Sequence, residues 1–171
     1  MINPEDNLYL LLDGYPPDIA WPYPPVLVPP GDFLRELCIE DASQGWFKCG
    51  DERIDKNEVG EYLYFLKLSK NGRVFVVEKS NKIVGVLHFL FDHKKVRIDT
   101  VAVDKNIQGH GIGKNLMLFF FEYCKFNGVR SIYLDAFKER EGFYANLGFK
   151  KIRNFTIPSY GDFTEMHRRT T

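Results

Sequence analysis

Three glycines at alternate positions, Gly109, Gly111 and Gly113, follow Gln108 and precede Lys114. Before them runs the apolar, β-branched stretch Val96–Val103, closed by the polar turn Asp104-Lys105-Asn106-Ile107. After them comes an apolar helical segment from Leu116. Strand, glycine turn and helix in that order make an anion cradle. Glycines admit a close backbone approach, and a helix start presents unpaired N–H groups at its positive end. The ligand is therefore expected to carry phosphates. Two common phosphate loops are excluded by spacing. A dinucleotide loop needs G-x-G-x-x-G directly after its strand. A P-loop needs glycine where Gln108 stands and Ser or Thr where Asn115 stands.

Around that cradle the chain has 171 residues, enough for one domain with a sizeable core. Lys and Arg total 23, as do Asp and Glu, so no basic excess argues for nucleic acid. Leu8–Leu12 is too short for a signal peptide or a membrane span. The odd, scattered cysteines Cys38, Cys49 and Cys124 lack metal-site spacing, and no metal is expected. They fit a reduced, cytoplasmic protein.

Residues 1–25 read as an extension rich in proline and aromatics. Seven of the nine prolines fall between Pro16 and Pro30, which predicts an extended arm. Its aromatic rings have area to bury, so it either packs on the domain 26–171 or covers a pocket or partner. Val26–Val28 reads as a short edge strand, and Asp32 as the N-cap of a helix burying Phe33, Leu34, Leu37 and Cys38. Residues 41–56 read as a loop with Trp46, Phe47, Asp51, Glu52 and Asp55. A second helix starts at Asn57.

Arg73–Lys79, Ile83–Phe91 and the strand of the cradle form a three-strand meander. The helix after the glycines reaches Phe126 and stops at Asn127-Gly128. It is apolar almost all round. Leu116, Phe119, Phe120 and Tyr123 suit a sheet, while Leu118 and Phe121 need another cover, either the arm or a second copy in a homodimer. Ser131–Ala136 is a strand parallel to that of the cradle, because a helix crosses back before it. A short helix Glu139–Leu147 and a closing hairpin, Phe149–Ile157 with Asp162–His167, complete the chain.

Gln108, Gly111 and Gly113 match the [QR]-x-x-G-x-[GA] signature, and Gly142–Phe149 matches an F-Y-x-x-x-G-F segment. Together with the element order from Val26 onward, these motifs resemble the GNAT superfamily of N-acyltransferases. The resemblance implies an α/β fold: a central, mostly antiparallel mixed sheet with flanking helices. It implies an acetyltransferase that uses acetyl-coenzyme A and an amine acceptor, a small molecule or a peptide or protein amine. By position, Val101, Ala102 and Val103 would pair with the pantetheine arm. N–H groups from Gln108, Gly109, His110, Gly111, Ile112, Gly113 and Lys114 would hold the pyrophosphate.

Tyr144 falls at the tyrosine of the second motif. The resemblance makes it the general acid for the departing thiolate, a task a phenol with an ordinary pKa near 10 can perform. Packing beside Phe143 and Phe149 is its other reading. Asp99 is the candidate base and His88 its rival. Asp99 can instead pair with Arg97, which shares its strand parity. One departure stands out. Phe137 occupies the place where many family members have a cofactor-touching Asn, so Lys138 or Arg140 either reaches the phosphates or is merely solvated.

A carboxylate loop at Asp51, Glu52 and Asp55 beside aromatic rings suits a cationic acceptor; a solvated acidic loop is the plainer reading. An alternative from another class is a non-catalytic acyl-coenzyme A sensor or scaffold with the same fold. Retention of Tyr144 argues against it.

Overall fold

The computed structural model describes residues 26–28, 32–36, 47–55 and 72–170, the first two stretches through their backbone. Eight strands form one sheet in the order β1-β2-β3-β4-β5-β6-β8-β7. They are β1 Val26–Val28, β2 Asp32–Glu36, β3 Gly72–Lys79, β4 Lys82–Asp92, β5 Lys95–Val103, β6 Ser131–Phe137, β7 Lys150–Ile157 and β8 Gly161–Arg169. Helices are α1 Glu52–Asp55, α2 Ile112–Phe126 and α3 Glu141–Asn146, with a 3₁₀ turn at Lys138–Arg140. Every strand contact is antiparallel except β5 with β6, which is parallel across the α2 crossover.

The meander follows from local chemistry. Ser80 and Asn81 both take positive φ, 50° and 63°, the backbone of a two-residue turn whose twist matches its strands. β3 therefore returns directly as β4. The helix expected from Asp32 is not formed: Asp32–Glu36 is strand β2. Its backbone pairs on one side with β1, Val28 opposite Asp32, and on the other with β3, Glu36 opposite Phe75. Two ladders outcompete the few hydrogen bonds that so short a helix would supply. The expected edge strand at Val26–Val28 is present as β1. The arm of residues 1–25, the helix from Asn57 and the partners of Cys38 lie outside the described residues.

The core lies between the sheet and α2. Phe75, Phe89, Phe120 and Tyr123 are fully buried and meet edge-on or tilted, with Phe89 and Phe120 centroids 4.7 Å apart. Such pairs add roughly 0.5–1.5 kcal/mol each beyond area burial. The cover for Phe121 is internal, contrary to expectation. Its ring packs on Phe149 at 5.9 Å, and the Arg168 guanidinium lies 3.9 Å from its centroid. Leu118 remains 45% exposed. Cys49 and Cys124 are buried free thiols. Among the described residues, no helix is long and apolar enough to cross a membrane, and no group of side chains is arranged to hold a metal.

Candidate functional site

The sheet opens at Asp99. β5 pairs with β6 only from Lys95–Ser131 to Ile98–Leu134, after which both strands continue apart. At the same point a β-bulge interrupts the β4–β5 ladder. His88 faces Thr100 and Phe89 faces Ile98, so Asp99 has no partner across the ladder. The extra residue inverts parity. Val96 and Ile98 pack into the α2 side of the core before the bulge, and Val101 and Val103 do so after it. Ala102 turns to the opposite face with Val74, Val76 and Cys49.

A cavity of about 580 Å³ fills the gap between the parted strands. That volume is in the range of small-molecule sites. Nine of the ten residues expected to bind the donor line it: Val101, Ala102, Val103, Gln108, Gly109, Gly111, Ile112, Gly113 and Lys114. The tenth, His110, is outside the lining, its Nδ1–H donating to Ile107 O at 3.0 Å.

The glycine turn leaves its backbone open to the cavity. Gly109 and Gly111 have φ of +85° and +82°, a region where an L side chain is strained. A Cβ at either would meet nothing within 4 Å, so open space adjoins the backbone. No side chain caps α2, and its first intrahelical bond is Asn115 N to Gly111 O at 2.9 Å. The N–H groups of Ile112, Gly113 and Lys114 precede that bond at the positive helix end. Pyrophosphate oxygens fit them.

Side chains hold the turn in place. Asn106 N–H donates to Asp104 Oδ1, and Gln108 Nε2 donates to Val103 O at 2.9 Å and Cys49 O at 2.7 Å. Lys105 N–H adds a bond to Lys48 O at 2.9 Å. Gln108 thus ties the turn to residues 48–49, a contact its motif position gave no hint of.

Tyr144 and Asp99 line the same cavity. Phe143 and Phe149 stand edge-on to the Tyr144 ring, at 5.1 and 5.7 Å. Burial pushes the phenol up to about 12, with Arg140 pulling modestly the other way. The group is a proton donor across the physiological range. Asp99 does not pair with Arg97, which instead meets Asp135 at 3.0 Å. The two candidate bases are joined: His88 Nδ1 lies 3.1 Å from Asp99 Oδ2, and Thr100 Oγ1–H donates to the same oxygen at 3.2 Å. The hydrogen bond from His88 lowers the Asp99 carboxyl below its usual range. Asp99 is half-exposed on the cavity side and His88 is buried behind it. Arg140 lines the cavity and Lys138 does not.

The acidic loop is mostly committed. Asp51 is held by Arg53 through Nε at 2.9 Å and Nη2 at 2.7 Å, and this pairing lowers its carboxyl. Asp55 accepts the backbone N–H groups of Cys49 and Gly50 at 2.8 and 3.0 Å. Glu52 is left on the surface. Of the three carboxylates, Glu52 alone is exposed, while Asp51 and Asp55 are engaged.

Arg53 was not foreseen as a site residue. It also reaches Glu139 Oε1 at 2.6 Å and Tyr160 O at 3.4 Å, and its guanidinium lies 3.5 Å from the Phe137 ring centroid. Phe137 in turn packs on Phe163 at 5.0 Å. Arg53, Phe137, Tyr160 and Phe163 therefore form one connected wall of the cavity. These partners lie 86 and 107 positions away along the chain, so no local signal marks them.

Residues 70–151 match the family model described as Acetyltransferase (GNAT) domain. A glucosamine 6-phosphate N-acetyltransferase of Trypanosoma brucei brucei is 29% identical over 85 residues, 46% of this chain. The chain spans 58% of that relative's length. Two solved structures share the fold at low identity. Ard1 from Thermoplasma volcanium has a TM-score of 0.68 at 18% identity, covering 81% of this chain and 97% of its own. The ribosomal-protein-S18-alanine N-acetyltransferase of Escherichia coli has 0.65 at 15%, covering 82% and 94%.

Proposed function

Because residues 70–151 belong to the acetyltransferase (GNAT) domain family, we propose that this chain transfers an acetyl group from acetyl-coenzyme A to a primary amine. The observation that carries the reading is one continuous cavity at the parted β5 and β6. It joins an uncapped helix start and glycine turn to a protonated phenol and a carboxylate.

Acetyl-coenzyme A supplies an activated acyl thioester. Its pyrophosphate takes the N–H groups from Gln108 to Lys114, with Lys114 and Arg140 as nearby cations. The β5 edge from Val101 to Val103, left without β6, offers main-chain partners to the pantetheine amides. Asp99 attracts the acceptor ammonium; one proton passes to solvent to give the nucleophilic amine, and Asp99 takes up the second proton, released as the C–N bond forms. Tyr144 gives its proton to the thiolate as the C–S bond breaks, and coenzyme A leaves as the thiol.

Thiol release with acetyl-coenzyme A and a panel of amines tests this reading. The panel holds spermidine, a lysine peptide, glucosamine 6-phosphate, phenylalanine and phenethylamine. Amine-dependent release that Tyr144→Phe suppresses is the expected result. Tight donor binding without release for any amine would favour the sensor alternative.

A further inference from the structure

Resting on the reading above, we infer that the acceptor is a primary monoamine carried on an apolar, ring-sized body. The wall formed by Arg53, Phe137, Tyr160 and Phe163 receives that body. The charges around it decide the class. Four of the five Arg53 N–H groups go to Asp51, Glu139 and Tyr160 O, and its charge already faces two carboxylates, which leaves it weakly attractive to an acceptor carboxylate. Asp51 shares Arg53 with Glu139, and Asp135 pairs with Arg97. Burial pushes the Cys49 thiol up, leaving it neutral and apolar in the lining.

Among the described lining carboxylates, Asp99 is the one not paired with an arginine; its Oδ2 serves His88 and Thr100, and its Oδ1 faces no donor among the described residues. Among the described lining residues, one carboxylate without an arginine partner, set beside aromatic rings, matches one ammonium group. A polyamine would leave its further charges against rings and already paired ions, where desolvation is uncompensated.

The ring surface extends beyond the cavity. Phe137, Phe163 and Phe155 stand directly opposite one another on β6, β8 and β7, so their side chains share one face of the sheet. Phe155 stacks on Phe163 at 5.4 Å and 12°. Arg53 lies over the outer ring at one end and Arg153, 4.8 Å from Phe155, at the other. Tyr160 is 52% exposed at the β7–β8 turn and closes the row above the cavity. Aromatic contacts of this kind favour a flat apolar group by roughly 0.5–1.5 kcal/mol per ring pair. Arg140 and Lys114, both in the lining and in no ion pair among the described residues, are the cations that could draw an acidic acceptor instead. The panel includes acidic amines for that reason.

The test has a turnover arm and a binding arm. For turnover, kcat/KM is compared across the panel, with phenethylamine expected at least tenfold above spermidine, phenylalanine and glucosamine 6-phosphate. For binding, phenethylamine is titrated calorimetrically into the protein saturated with coenzyme A. Tyr160→Ala keeps the backbone carbonyl that Arg53 uses, and should weaken both readouts for phenethylamine severalfold while leaving acetyl-coenzyme A KM unchanged. Turnover that favours spermidine or an acidic amine overturns this inference and leaves the acetyltransferase reading standing. Phenethylamine binding that depends on Tyr160, with no turnover of any amine, keeps the ring-binding wall but overturns the acetyltransferase reading and, with it, the acceptor role. Equal binding by both variants overturns the inference.

Discussion

The imidazole Nδ1 of His88 sits 3.1 Å from Asp99 Oδ2, linking a buried ring on β4 to the bulged residue of β5. The hydrogen bond favours the ionised carboxylate, so the Asp99 carboxyl titrates lower in the fold than in the unfolded chain, where about 3.9 is usual. A depressed carboxyl contributes stability that is complete above the unfolded value and disappears as pH falls through the folded one. The stability gap between wild type and Asp99→Asn should therefore stay flat from pH 7 to about 5 and narrow below about 4. Urea denaturation across that range measures it. A gap that widens on acidification would contradict the pairing.

Tyr144→Phe removes the hydroxyl while keeping the ring that packs on Phe143 and Phe149. Loss of a general acid typically costs on the order of 10²–10⁴ in rate, so kcat should fall by that order with donor KM little changed. Because burial holds the phenol near 12, the wild-type rate should show no basic limb from this residue between pH 6 and about 10. Steady-state kinetics over pH read both. An unaltered kcat in the variant would make Tyr144 a packing residue.

Local features of the fold were readable from local sequence. The glycine turn, the Ser80-Asn81 hairpin and the α2 stop at Asn127 each depend on residues within a few positions. The β2 segment reads as a helix from its cap residue Asp32 and the helical spacing of Phe33, Leu34, Leu37 and Cys38, whereas its pairing to β1 and β3 is tertiary. The orientation of Asp99 escaped for a sharper reason. A strand alternates with period two, and one bulged residue inverts every face beyond it. The wall around Arg53 was invisible because its partners come from the far end of the chain.

Gly113 gives a cleaner probe of the donor site than Gly111. At Gly111, φ of +82° strains any L residue, so a substitution there mixes folding with binding. Gly113 lacks that constraint, and a Cβ there meets Val103 Cγ2 at 3.6 Å and Phe143 Cζ at 3.7 Å, ordinary contact distances. Gly113→Glu should fold normally and place a negative charge at the helix start. Coenzyme A affinity is expected to fall at least tenfold, about 1.4 kcal/mol, by calorimetry. Gly113→Ala should lose far less. Equal affinities for wild type and Gly113→Glu would move the pyrophosphate elsewhere.

Gln108 connects the donor turn to the segment that carries Arg53. Its Nε2 donates to Val103 O and Cys49 O. Gln108→Ala leaves both carbonyls to other partners, at a cost of about 0.5–1.5 kcal/mol per hydrogen bond. The urea midpoint should drop with the slope m unchanged, since the surface exposed on unfolding is nearly the same. Donor affinity should fall as well, because the turn loses one of its anchors. His110→Ala serves as the control. Its ring bonds only to Ile107 O within the same turn and lies outside the cavity lining, so the midpoint and donor affinity should change less. If His110→Ala proves the more damaging of the two, the turn is held from within and not by residues 48–49.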